Sequence, residues 1–253
     1  MDLMPLIKFV DRAIKRVDQR NTNIVVMCCT LNEERNIERY CQVYSRFADS
    51  IVICDGGSID RTVELAKGFA KVHIVHFRGL MHFDDHAWTP LGKHHNFAYE
   101  AAMEHNPDWI ITDECDSIPT LALQEAARSE MEMTEDDVIG LGRIYIVGSN
   151  RYYPSLSLEG YFGWAHRPDK IDGHYRTTTH RGIPRPNFPH PDTGLWHTLD
   201  NPFALLHYGW PDYETMISKT KRYRASGALP SYGTAIPLNA GRSEPLQEWA
   251  KWN

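Results

Sequence analysis

The sequence predicts an α/β fold on a mostly parallel sheet flanked by helices, and three observations carry that expectation. Short apolar runs of strand length alternate with amphipathic stretches of helical period between residues 23 and 120. The first of them, "NIVVMCC", is continuously apolar, as a strand buried on both faces is. Polar residues gather directly after each run, where an open parallel sheet places its ligand edge.

The first strand is "NIVVMCC" (23–29). The period then becomes helical in "NEERNIERYCQVYSRFA", which sets Ile37, Tyr40, Cys41, Tyr44 and Phe47 on one face. "SIVIC" is the second strand, and "DRTVELAKGFAK" the next helix with Asp60 as its N-cap. "VHIVHF" is the third strand, "KHHNFAYEAAMEH" the third helix and "DWIIT" the fourth strand. Strand-helix-strand spacing of this kind calls for right-handed crossovers.

The character shifts beyond Val138. "VIGLGRIYIVG" reads as strand, residues 184–202 as an irregular proline- and histidine-rich segment, and "DYETMISKTKRYRA" as helix. At the other end, residues 6–17 ("LIKFVDRAIKRV") align Leu6, Val10, Ala13, Ile14 and Val17, with Lys8, Arg12, Lys15 and Arg16 elsewhere. The expectation is a separate amphipathic helix in residues 1–22 that packs on the body or on a second subunit. Peripheral contact with an anionic membrane surface is its alternative use.

A chain of 253 residues with 42% hydrophobic and 24% charged content suits one large α/β domain or two small ones, and a single domain over residues 23–253 is the expectation. A formal net charge of −6 disfavours nucleic acid as the main partner. Cys28, Cys29, Cys41, Cys54 and Cys115 form no CxxC pair and sit mostly in apolar runs, the usage of reduced thiols in a cytoplasmic protein. No apolar stretch approaches the ~18–20 residues of a membrane span, and no secretory signal pattern stands at the start.

The strand ends supply the candidate chemistry. The first delivers Thr30, Asn32 and Glu33; the second Asp55, Gly56, Gly57 and Ser58; the fourth Asp113, Glu114 and Asp116. Taken singly, each is a turn or a cap as readily as a site, but polar ends aimed at one edge are harder to dismiss. The acids of "ITDECDSIP" repel one another, so a cation or basic side chains are expected beside them. Neither "GxxxxGK[ST]" nor "GxGxxG" occurs, so a phosphate ligand would need a metal or basic groups. Asp113 and Asp116 are hard oxygen donors suited to Mg²⁺ or Mn²⁺, with Cys115 as apolar filler between them. Lys93 opens the third helix, where a phosphate finds the helix N-terminus. His207, between "FALL" and "YGW", reads either as a hydrogen-bonded core histidine or as a metal ligand, and the acids upstream favour the metal.

"CTLNEERNIERYCQVYSRFADSIVICDGGSIDRTVELAK" resembles the opening of family 2 glycosyltransferases. "GKHHNFAYEAA" followed by "DWIITDECDSIP" is similar to that family's second block, which ends in a DxD-type metal motif. "LLHYGWPDYETMISKTKRY" is similar to a later block, in which a histidine at a strand end precedes a helix. The resemblance is nearest to the lipopolysaccharide-core-type subgroup, and it covers roughly residues 23–120 and 203–224.

The resemblance implies a GT-A fold in which a Rossmann-like sheet carries a nucleotide-sugar half, residues 23–120, and a more irregular acceptor half, residues 121–253. It implies a nucleotide-diphospho-sugar donor, a divalent cation and a hydroxyl acceptor, glycan, lipid-linked or other, in glycan or polysaccharide synthesis. Thr30, Glu33 and Asp55 would hold the base and ribose, with Asn32, Gly56 and Gly57 also in the nucleotide-sugar site. Asp113, with Glu114 as an alternative, and Asp116 would bracket ribose and metal, and His207 would complete the metal shell. Lys93, Asn96, Lys219 and Arg222 would lie near the diphosphate. A His-Glu pair of the subgroup reads "HRG" at His180–Gly182 here, which leaves the catalytic base open between Glu159 and Asp192, with Asp172 and Asp200 behind them. Direct displacement would invert the anomeric centre. Tyr152, Tyr153, Tyr161, Phe162, Trp164 and Trp196 form either an acceptor wall or the core of the second half. Two other readings stand beside this one: a metal-dependent hydrolase built on His82, Asp84, Asp85 and His86, and a non-catalytic module that binds glycans or sugar nucleotides.

Overall fold

The structure is a computed structural model that describes residues 22–79, 88–147, 151–152, 162–175, 188–189, 193–210 and 244–245. Its first half alternates as the apolar runs require. Strands β1 (Ile24–Thr30), β2 (Ser50–Asp55), β3 (Val72–His76) and β4 (Trp109–Thr112) are separated by helices α1 (Ile37–Tyr44), α2 (Thr62–Ala66) and α3 (Trp88–Met103). A short strand β5 (Ser117–Pro119) and helix α4 (Leu121–Met133) lead into β6 (Val138–Val147), β7 (Arg151–Tyr152), β8 (Phe162–His166), β9 (Trp196–Trp210) and β10 (Glu244–Pro245).

These strands form one sheet in the order β10-β7-β6-β8-β4-β1-β2-β3, with β9 pairing both β6 and β5. Strands β3, β2, β1 and β4 are parallel. Strand β8 enters antiparallel to β4, and β6 antiparallel to β8, so β6 points the same way as β4. The carboxyl ends of β1, β2, β4 and β6 therefore open on one edge. There β9 meets β5 antiparallel, with Ser117 opposite His207. The fold is a mixed α/β domain, a large sheet flanked by helices, and the parallel order read from the sequence holds for its first half.

Burial on both faces explains the unbroken apolar runs. Ile24, Val26 and Cys28 of β1 pack with Ile37, Tyr40, Cys41 and Tyr44 of α1 and with Leu123, Ala127 and Met131 of α4. Their alternates Val25 and Met27 pack with Val52, Cys54 and Ile110 beneath Ala98, Tyr99 and Ala102 of α3. Beyond β4 the sequence reading departs from the fold in two places. Helix α4 falls where no helix was read, although Leu123, Ala127 and Met131 recur at its period and are buried. Strand β9 runs into residues 184–202, read as irregular, because β6 pairs with it from Trp196 onward. Asp60 stands one residue ahead of the helix cap, yet its carboxylate accepts the Thr62 N–H at 3.0 Å. The helices expected over 6–17 and 212–225 lie outside the described residues. Among the described residues no helix is long and apolar enough to cross a membrane.

Candidate active site at the carboxyl edge of the sheet

Thr30 and Asp55 end β1 and β2 side by side, and both are buried. The loops that follow are tied together. Asn32 N donates to Ser58 Oγ (2.9 Å), Ile59 N to Asn32 Oδ1 (2.9 Å) and Glu33 N to Thr62 Oγ1 (2.7 Å). Asn36 Nδ2 donates to Glu33 Oε2 at 2.7 Å, and Gly56 N donates to Thr30 O at 2.8 Å. Gly57 has φ +97°, a conformation that glycine adopts without the steric cost of a Cβ. That turn lets Gly57 N and Ser58 N both donate to Asp55, each at 3.1 Å. Burial works to raise the Asp55 pKa, but the bonds from Ser58 and Gly57 and the nearby His76 prevail and hold it below the usual value. Thr30 Oγ1 is buried with no hydrogen-bond partner, which leaves one polar atom at this edge for a ligand to satisfy.

The three acids after β4 part company. Asp113 turns inward: Tyr44 Oη donates to its Oδ2 at 2.5 Å, and Glu114 N donates to its Oδ1 at 2.8 Å. Burial raises its pKa to about 7, against the lowering effects of Arg143 and the Tyr44 bond. Cys115 joins the core. Glu114 and Asp116, two positions apart, instead meet His207 from β9. One oxygen of each acid and one imidazole nitrogen lie within 4.8 Å of one another. His207 Nδ1 is 3.3 Å from Asp116 Oδ1, 3.9 Å from Glu114 Oε2 and 3.1 Å from Ser117 Oγ. Strand pairing fixes this meeting, because Tyr208 N donates to Asp116 O (2.6 Å) beside the Ser117–His207 pair. Two carboxylates and one imidazole are a donor set that Mn²⁺ or Mg²⁺ fits, with room for substrate oxygens. Of the ligands expected from the sequence, the structure thus brings Asp116 and His207 together and places Glu114, rather than Asp113, as their neighbour.

Three residues around these acids were not read as site residues from the sequence. Tyr44 and Ser117 hold Asp113 and His207, as above. Arg143 of β6 brings Nη1 to 3.4 Å from Glu114 Oε2 and Nη2 to 4.0 Å from Asp113 Oδ1. Burial acts to lower its pKa, but Glu114 and Asp113 outweigh that and raise it. A lone arginine in the strand "GLGRIYIVG" was the signal available for it. Helix α3 begins at Trp88, so exposed Lys93 stands five residues inside it and not at its N-terminus as read from the sequence. Asn96 commits its amide to Tyr175, donating to Tyr175 O at 3.1 Å and accepting from Tyr175 N at 2.6 Å. Trp164 is core: it is 1% exposed, and its Nε1 donates to Tyr44 Oη at 3.4 Å. Half-buried Trp196 donates to Pro189 O at 3.0 Å. Asp172 accepts from His174 N at 3.0 Å, and Asp200 is exposed on β9. Glu159, Asp192, Lys219 and Arg222 lie outside the described residues, as do His82, Asp84, Asp85, His86 and His180–Gly182.

No protein-family profile and no curated protein matches the chain. Solved structures do resemble it. One is glucosyl-3-phosphoglycerate synthase from Mycobacterium tuberculosis in complex with Mn²⁺, UDP and glucosyl-3-phosphoglycerate, at 18% identity and TM-score 0.37 over 53% of this chain and 48% of that one. This chain therefore spans about half the length of that structure. The same synthase in complex with Mn²⁺, UDP and phosphoglyceric acid is 14% identical at TM-score 0.46, over 93% of this chain and 91% of that one. A structure described as that of a mycobacterial protein is 12% identical at TM-score 0.45, over 93% and 87%. None of these is named as a protein of the lipopolysaccharide-core type. At such identities and TM-scores the likeness assigns neither substrate nor residue roles to this chain.

Proposed function

We propose that this protein is a metal-dependent glycosyltransferase that moves a sugar from a nucleotide-diphospho-sugar to an acceptor hydroxyl with inversion, as a family 2-type enzyme of glycan or polysaccharide synthesis. The observation that carries the reading is the convergence of Glu114, Asp116 and His207 at the ligand edge of a parallel sheet. The buried, unpartnered Thr30 Oγ1 and the ionised Asp55 on the neighbouring strands support it.

Glu114, Asp116 and His207 would hold the cation, Mn²⁺ or Mg²⁺, through two carboxylate oxygens and the imidazole nitrogen that faces them. Bound there, the cation supplies Lewis-acid stabilisation of the nucleoside diphosphate as it leaves. Ser117 Oγ contacts that same nitrogen, Nδ1, at 3.1 Å and would yield it to the cation. Asp55 and Thr30 would take ribose and base groups, with Asn32, Glu33, Gly56 and Gly57 shaping that wall. Asp113, locked by Tyr44, supports the wall between ribose and metal from behind. Lys93, with Lys219 and Arg222, would serve the diphosphate side, where Asn96 acts only by anchoring Tyr175, and Glu159 or Asp192 would serve the acceptor side, where a carboxylate takes the hydroxyl proton. A cytoplasmic setting suits the five free cysteines.

A thermal-shift screen of nucleoside diphosphates and their sugar conjugates, with and without Mn²⁺, tests the reading. A ligand at a hundred times its dissociation constant adds about 2.7 kcal/mol. The expected result is stabilisation by one nucleotide class, only with metal, lost in Asp116→Asn. Metal-independent stabilisation, or none from any nucleotide, contradicts it.

A further inference from the structure

Arg143 is placed for more than structural neutralisation. Strand β6 points the same way as β4, so Arg143 reaches the edge that carries the acids. Its side chain is only 15% exposed, and its guanidinium lies 4.8 Å over the Phe162 ring. Yet its contacts to Glu114 (3.4 Å) and Asp113 (4.0 Å) are both longer than the ~2.7–2.9 Å of a charge-assisted bond. Its Nε is buried and has no hydrogen-bond partner. A guanidinium this far out of water, with an unsatisfied donor, is costly unless an oxyanion completes it.

The anion now beside Arg143 is a group the metal site also needs. Glu114 Oε2 lies between Arg143 Nη1 at 3.4 Å and His207 Nδ1 at 3.9 Å. Asp113 lies farther off, at 4.0 Å, and its two oxygens already accept from Tyr44 and the Glu114 N–H. We propose that Arg143 is a diphosphate-binding residue held in check by Glu114: drawing Glu114 to a divalent cation frees the guanidinium for phosphate oxygens, so cation and diphosphate bind cooperatively and each binds weakly alone. The planar fork suits phosphate oxygens, which take two parallel N–H bonds. This rests on the reading of Glu114, Asp116 and His207 as the metal site.

Mn²⁺ alone and inorganic pyrophosphate alone are the probes, titrated by calorimetry into wild type, Arg143→Met, Glu114→Gln and the double variant. Arg143→Met should bind Mn²⁺ more tightly, by roughly fivefold or more, since the competitor for Glu114 is gone. Glu114→Gln should bind metal-free pyrophosphate more tightly by a similar factor, and the double variant should lose that gain. Arg143→Lys keeps a charge without the fork. It should fold as wild type and recover less than half of the pyrophosphate gain when combined with Glu114→Gln, which keeps the proposal testable if the methionine variant does not fold. The proposal is overturned if Arg143→Met leaves Mn²⁺ affinity unchanged or lower, or if the double variant keeps the full pyrophosphate gain. No Mn²⁺ binding by wild type or by Arg143→Met overturns the metal-site reading itself and this inference with it. Mn²⁺ binding indifferent to Arg143 overturns the inference alone.

Discussion

Gly209→Ala perturbs the proposed metal ligands without removing any of them. A Cβ at position 209 would lie 2.5 Å from His207 Nε2, 2.9 Å from His207 Cε1 and 3.0 Å from Asp116 Oδ2. Ordinary contact begins near 3.4 Å, so the imidazole must withdraw by about 1 Å. Metal–ligand distances tolerate only about 0.2 Å. The backbone at 209 lies outside the left-handed region, so the methyl itself adds no strain there. One displaced ring costs about 0.5–1.5 kcal/mol of stability, whereas moving a ligand out of place lowers metal affinity about 10–100-fold. Calorimetric Mn²⁺ titration with a parallel melting curve separates these quantities. The expected outcome is a small drop in Tm beside a large loss of Mn²⁺ affinity. A variant that folds and binds Mn²⁺ like wild type would refute the placement of His207 among the ligands.

His166 gives a pH prediction. It is fully buried, neither ring nitrogen has a partner, and burial holds its pKa down to about 4 from an ordinary 6.5. Between those values the unfolded chain binds a proton here that the folded chain does not, so the His166 contribution to stability falls by roughly 3 kcal/mol as pH drops from 6.5 to 4, while Asp113, raised to about 7, contributes in the opposite sense. Buried His95, held at about 3, adds a loss of the same sign as His166. His166→Phe should remove its share of the slope in denaturant titrations over that range, and an unchanged slope counts against the assignment. Tyr44→Phe removes the 2.5 Å bond to Asp113 and should cost about 1–3 kcal/mol in urea unfolding; a loss within error would show that Asp113 is satisfied without it. Asn96→Ala breaks both bonds to Tyr175, and faster amide exchange at 172–175 is expected, with protection at β1 retained. Unchanged exchange there would show that Asn96 does not anchor the segment.

The first half of the fold was legible because its signals are local. Continuous apolar runs specify strands buried on both faces, and the groups that follow them land at the ligand edge by chain direction alone. The acids were harder. Choosing between Asp113 and Glu114 depends on which carboxylate meets Tyr44 inside the core, a contact between residues 69 positions apart. Glu114 and Asp116 lie in a turn closed by Ser117 N donating to Glu114 O at 2.9 Å, where strand alternation gives no guide to which acids share a direction. Arg143 reads as an ordinary strand residue until β6 is placed beside β8, and β8 beside β4. Strand β9 owes its early residues to pairing with β6, a tertiary effect that local composition around Pro202 does not announce.

The measurement that bears most directly on the central claim is anomalous diffraction from crystals grown with Mn²⁺. The account predicts one strong Mn²⁺ peak bonded to Glu114, Asp116 and His207, with Asp113 still hydrogen-bonded to Tyr44. A peak at Asp113 with Glu114 remaining on Arg143, a peak at His82–His86, or no peak at the edge of the sheet would contradict it.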